Sequence, residues 1–114
     1  SYEIVTTKKV FEEKLSSAKE KKLRVVVIFS ADWCVSCKEL ELQVFSNEEV
    51  MSKLKDYARI EIDITQMTQE QKQLLKEYKI FGPPAILFFN ENGELLQEKQ
   101  VVGLVSVQKF LKNL

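Results

Sequence analysis

The chain has 114 residues, 45% of them hydrophobic and 30% charged, enough to bury the core of one ordinary domain. Its seventeen basic and seventeen acidic residues cancel, so charge gives no attraction to nucleic acid or to an anionic membrane surface. No apolar run approaches the roughly 20 residues that cross a bilayer, and no signal peptide is visible.

Tyr2 to Thr6 reads as a short edge strand. Thr7 is placed to cap a helix over residues 8–21, with Val10, Phe11, Leu15 and Ala18 as a partial apolar stripe and Lys19, Lys21 and Lys22 at its negative end. Arg24 to Phe29 is β-branched and continuously apolar, the pattern of a strand buried on both faces. A helix is predicted from about Cys34 to Val44. Ser46-Asn47-Glu48-Glu49 has the spacing of a capping box and predicts a further helix carrying Val50, Met51 and Leu54.

Ala58 to Ile64 alternates Ile60, Ile62 and Ile64 with Glu61 and Asp63, a strand with one buried face. Thr68-Gln69-Glu70-Gln71 is a second capping box, opening a helix with Leu74, Leu75 and Tyr78 inward. Phe81-Gly82-Pro83-Pro84 breaks the chain before a third buried strand, Ala85 to Phe89. A cis peptide is expected before Pro84, because such bonds sit in tight turns at fixed sites. Asn92-Gly93 predicts a type I′ hairpin into an antiparallel strand around Leu95 to Val102. Ser106 caps a last helix with Val107, Phe110, Leu111 and Leu114 inward. The order β-α-β-α-α-β-α-β-β-α predicts an α/β fold: a mixed sheet of four or five strands with helices on both faces.

The chemistry centres on Ala31-Asp32-Trp33-Cys34-Val35-Ser36-Cys37-Lys38, which holds the only two cysteines and the only tryptophan. Cysteines three apart on one helical turn can form a disulfide. At a helix N-terminus, Cys34 faces free backbone N–H groups that stabilise a thiolate. Cys34 is thus the expected attacking sulfur, and Cys37, one turn in and expected to be more buried, the resolving one. Val35-Ser36 adds no positive charge, and Asp32 and Glu41 add negative charge opposed by Lys38. A poorly stabilised thiolate predicts a reductant, nearer the roughly −270 mV of thioredoxin than the roughly −120 mV of the oxidant DsbA.

Two other readings of the pair carry less. A static structural disulfide closing so small a loop stabilises poorly. Half of an intermolecular metal site remains the other option. Within one chain the absence of histidine removes a four-ligand zinc site of the usual kind, together with Cys–His and Ser–His dyads. No cofactor beyond the cysteines and no metal is expected. Glu41 is either a solvated surface acid or a proton acceptor for Cys37. Trp33 packs at the rim, shields the thiol and offers an aromatic contact to a partner.

Trp33-Cys34-Val35-Ser36-Cys37-Lys38, followed by Gly82-Pro83-Pro84 ahead of Ile86-Leu87-Phe88-Phe89, resembles the thioredoxin superfamily over nearly the whole chain. The run from Ala31 to Glu41, with Val44-Phe45-Ser46, is similar to one branch, the C-terminal periplasmic domain of DsbD-type thiol:disulfide interchange proteins. The resemblance implies a thioredoxin fold over residues 1–114, excised from a larger inner-membrane protein. It implies transfer of electrons from a membrane-embedded domain to a periplasmic partner. Cys34 matches the family nucleophile, Cys37 the resolving thiol, Pro84 the cis-proline that seats the partner, and Glu41 an acid near the site. Val102-Gly103-Leu104 matches a loop bordering the same surface. Two positions depart from the pattern. Ile28 stands where the family carries a buried aspartate, and Ala85 where a threonine often follows the cis-proline.

The sequence therefore predicts a monomeric protein-disulfide reductase acting on protein thiols and disulfides. Its shallow apolar partner surface comprises Trp33, Val35, Phe81, Pro83, Pro84 and Leu104. The rivals are a free-standing thioredoxin-like reductase and a non-enzymatic binding module on the same scaffold.

Overall fold

A computed structural model describes residues 2–114. The strands are β1 (Tyr2–Val5), β2 (Arg24–Ser30), β3 (Tyr57–Asp63), β4 (Ala85–Phe89) and β5 (Val101–Val102). Among the described residues they form one five-stranded sheet in the order β1-β3-β2-β4-β5. β1 and β2 both run parallel to β3, while β4 is antiparallel to β2 and to β5. The helices are α1 (Lys8–Glu20), α2 (Val35–Leu40), α3 (Glu48–Leu54), α4 (Gln69–Glu77) and α5 (Val107–Asn113).

β2 sits at the centre because five consecutive residues, Val25 to Phe29, are buried, as a strand covered on both faces requires. Val25, Val27 and Phe29 join a core layer with Phe11 of α1 and Leu74 and Leu75 of α4. Val26 and Ile28 join the opposite layer with Leu40, Val44, Phe45, Val50 and Phe110. Ile60, Ile62 and Ile64 face the first layer, as their alternation predicts.

Five local expectations are corrected. The helix after the cysteines is not α-helical to Val44: α2 ends at Leu40, and Glu41–Phe45 is a π turn. Asn47, not Ser46, caps α3, accepting the Val50 N–H at 3.1 Å. Ser46 still belongs to the end of the π turn, and its hydroxyl donates back to the Leu42 carbonyl. Met51 in α3 is exposed while Val50 and Leu54 are buried.

The hairpin is not type I′. Gly93 has a positive φ of 78° but Asn92 does not. The Asn90 carbonyl accepts from Gly93, and the Asn90 side chain accepts from Asn92 and Glu94, giving a three-residue loop that ends on a left-handed glycine. Nor does a strand run from Leu95 to Val102. Leu95 makes a single bridge to Phe89, Gln97–Lys99 is a 3-10 turn, and only Val101–Val102 pairs with β4. There the Lys99 and Gln100 N–H groups close the turn on the Leu96 and Gln97 carbonyls, and the Lys99 carbonyl accepts from the Asn113 side chain at the end of α5, in place of a ladder.

Thr7 caps α1, accepting from Val10, and Ser106 caps α5, accepting from Lys109. The Thr68–Gln71 capping box is complete in both directions. Gln71 is also the one polar side chain buried among the described residues, and it donates to the carbonyls of Thr6 and Asp63.

Candidate redox site

β2 delivers the chain into the loop Ala31-Asp32-Trp33, and Cys34 takes the N-cap position of α2, with φ −94° and ψ 104°. Its Sγ accepts the Cys37 N–H at 3.1 Å, meeting one of the donors that a helix start leaves free. Cys34 and Cys37 are joined as a disulfide with Cα atoms 5.3 Å apart. The two are buried alike, at 6% and 9% exposure, so Cys37 is not the more deeply buried residue. As a cap, Cys34 turns its side chain inward over the first turn, where the bond to Cys37 holds it.

The loop is secured from across the sheet. Thr65, just beyond β3, accepts the Asp32 N–H on its hydroxyl at 2.9 Å, and its carbonyl accepts the Trp33 indole N–H at 3.1 Å. The Thr65 hydroxyl and N–H both donate to Asp63 Oδ1, at 2.5 and 2.9 Å. Lys38 Nζ donates to the Asp32 carbonyl at 2.6 Å, which directs that ammonium to the loop backbone.

Cys37 opens on a polar cavity of about 280 Å³ lined by Tyr2, Ser30, Ala31, Asp32, Lys38, Glu41 and Glu61. Glu41, one turn after Cys37, thus shares its cavity. Its carboxylate faces the Arg59 guanidinium, with both oxygens within 3.3 Å of one nitrogen. Arg59 is 15% exposed against 57% for Glu41. It lies over the rings of Tyr2 and Phe45, 4.3 and 4.7 Å from their centroids, a cation–π arrangement. Tyr2 donates its hydroxyl to Glu61. Burial, then this bond and the Glu61 charge, hold the Tyr2 hydroxyl well above the ordinary tyrosine pKa, while Arg59 pulls the other way.

The Pro83–Pro84 bond is cis. The Pro84 carbonyl accepts from Gly103 at 2.8 Å, and Ala85 pairs with both Phe29 and Val102. The proline and the Val102–Leu104 loop therefore reach the same end of the sheet as the cysteine loop. Trp33, Val35 and Leu104 are exposed there, and Pro83 is half-buried. Phe81, fully exposed, borders a separate hollow with Met67, Leu75 and Ile80. Ile28 is buried in the apolar layer beside Leu40. Sequence reading did not single out Tyr2, Arg59, Glu61 or Thr65. They lie far from the cysteines in the chain, and only strand pairing brings them near.

Among the described residues, no group of three or more His, Cys, Asp or Glu is placed to hold a metal ion. No helix of the described residues is long and apolar enough to cross a membrane.

A cap cysteine disulfide-bonded across one turn, at the end of a mixed sheet with a cis-proline alongside, is the arrangement of a dithiol–disulfide exchange site. The family model described as a thioredoxin-like domain matches residues 11–114, and the chain belongs to that family. It is similar to the thiol:disulfide interchange protein DsbD of Actinobacillus pleuropneumoniae, 34% identical over 97% of this chain and 19% of that protein. It is likewise 36% identical to DsbD of Haemophilus ducreyi, over 96% of this chain and 19% of that protein. The chain thus spans about a fifth of the length of these curated relatives. The DsbD C-terminal domain of Neisseria meningitidis superposes with a TM-score of 0.78 in its reduced form, at 29% identity, covering 95% of this chain and 94% of that one. The oxidised form gives 0.75 at 30% identity, with the same coverage.

Proposed function

We propose that the chain is a protein-disulfide reductase that carries electrons by thiol–disulfide exchange, as a periplasmic domain of an inner-membrane protein. It takes two electrons from a membrane-embedded domain and passes them to a periplasmic partner. In the transfer, the Cys34 thiolate attacks one sulfur of the partner's disulfide. A Cys34–partner bond forms and the other partner sulfur leaves as a thiolate, which takes up a proton. Cys37 then attacks Cys34, the Cys34–Cys37 bond forms, and the second partner sulfur is released. The partner's disulfide is reduced to a dithiol, and the domain's dithiol is oxidised to a disulfide.

The observation that carries this reading is the setting of the cysteine pair: a cap sulfur with one N–H donor, bonded to Cys37, which opens on a cavity holding three carboxylates. A strong oxidant needs its reduced thiolate stabilised. Asp32, Glu41 and Glu61 oppose that, and the nearby Lys38 ammonium is directed to a backbone carbonyl. Trp33, Val35, Pro83 and Leu104 are the surface proposed to receive the partner, with the buried Pro84 beneath it and Phe81 at its edge.

The test is the Cys34–Cys37 reduction potential, by equilibration against dithiothreitol or glutathione with thiol trapping. A value near about −270 mV is expected, and one above the roughly −180 mV of protein disulfide isomerase refutes the direction of transfer. Loss of insulin reduction in Cys34→Ser separates the enzyme from a binding module, which would keep its function without the thiol.

A further inference from the structure

Resolution needs Cys37 as a thiolate, so its proton must go to a base. We propose that Glu61, steadied by the Tyr2 hydroxyl, is the group that accepts the Cys37 proton across the cavity they share. The proposal rests on the exchange reading of the cysteines. The strand leading to them offers no base, because Val26 and Ile28 are apolar and buried. Glu61 is the residue opposite Ile28 in the parallel β2–β3 register, so it rises on the same face of the sheet, one strand across. It is half-buried and held on a strand.

The other groups facing Cys37 are less suited. Lys38 is a cation and Tyr2 is a neutral donor already committed to Glu61. Ser30 is not a base at neutral pH. Asp32 is exposed on the loop. Glu41 is turned to the Arg59 guanidinium by two contacts. A cavity of about 280 Å³ has room for several waters at about 30 Å³ each, which can carry a proton between a thiol and a carboxylate. The step balances. Cys37 S–H loses its proton to Glu61, the thiolate displaces the partner sulfur from Cys34, and that sulfur leaves as a thiolate. The Glu61 proton then goes to the leaving thiolate or to solvent.

The test uses the reduced chain with Ellman's reagent in stopped flow from pH 5 to 9. The first equivalent of thionitrobenzoate marks attack by Cys34, and the second, independent of reagent concentration, marks resolution by Cys37. In Glu61→Gln the second phase is expected to slow about tenfold or more at pH 7. Its pH profile should move upward and rejoin wild type at alkaline pH, where the thiol ionises unaided. Tyr2→Phe, which leaves every carboxylate in place, should move the profile less. A Glu61→Gln profile within twofold of wild type throughout, or one slowed equally at every pH, overturns the proposal. Should that variant not fold, Tyr2→Phe decides alone: a moved profile supports the proposal and an unmoved one overturns it. A wild-type chain that releases only one equivalent removes the exchange reading itself, and this step with it.

Discussion

Replacing Thr65 by valine exchanges one hydroxyl for a methyl of the same shape. The backbone bonds of Thr65 remain, including the carbonyl that accepts the Trp33 indole. Two side-chain bonds are lost, from Asp32 N–H at 2.9 Å and to Asp63 Oδ1 at 2.5 Å. The second involves a carboxylate, a class worth about 1.5–3 kcal/mol, and the first about 1 kcal/mol. Asp32 is exposed and its N–H can turn to water, while Asp63 keeps the Thr65 N–H. The net loss should therefore be about 2 kcal/mol. At about 4 °C per kcal/mol for a chain of this length, the melting temperature should fall by about 8 °C. Calorimetry gives the stability. Emission from Trp33, the only tryptophan, reports whether its ring has loosened, and a lower steady-state anisotropy is expected. A melting temperature within 1 °C of wild type would mean that the hydroxyl holds nothing, and the account of how the loop is secured would fall.

Phe110→Ala should be among the costliest single changes, at about 3–5 kcal/mol in urea unfolding. The ring is fully buried, edge-on to Phe45 at 5.4 Å and tilted against Phe88 at 5.8 Å, and a loss under about 1 kcal/mol would contradict that packing. The alkaline limb of stability should be set by tyrosines. Burial first, then the neighbouring acids, raise Tyr2 and Tyr78 above the ordinary value of 10.0, and burial raises Tyr57 against the pull of Arg24. Above pH 10 the unfolded chain has lost these protons while the native chain keeps them, so unfolding releases protons and stability falls as pH rises. Absorbance titration at 295 nm should find all three ionising above 10, and one titrating at or below 10 would refute the assignment for that residue.

The three central strands were legible because burial on both faces, or on one, writes itself as continuous or alternating apolar residues. The Thr68–Gln71 box was legible because both of its bonds are local. At Ser46-Asn47 two good caps stood side by side, and the choice depended on where the preceding π turn ended, which no local pattern marks. The stretch after Leu95 failed for a different reason. It folds into a 3-10 turn whose Lys99 carbonyl and side chain are both held by Asn113 in α5, a partner no local window contains. The cysteine pair is contiguous and could be read directly. Tyr2, Arg59, Glu61 and Thr65 become its neighbours only through the pairing of β1, β2 and β3, a register fixed by the whole sheet.

The π turn at Glu41–Phe45 has a consequence for how this segment tolerates change. A π turn holds one residue more than the same length of α-helix needs. Deleting a single residue, Gln43 for instance, would let the hydrogen bonds relax to the ordinary spacing. A regular α-helix shortened by one residue turns by about 100°, but here the surplus residue is what the wide turn absorbs, so Val44 and Phe45 would stay on the core side and Glu41 toward Arg59. The segment thus tolerates a loss that an ordinary helix does not. Side chains on its outer surface are equally open to exchange, as exposed Leu42 and Gln43 indicate.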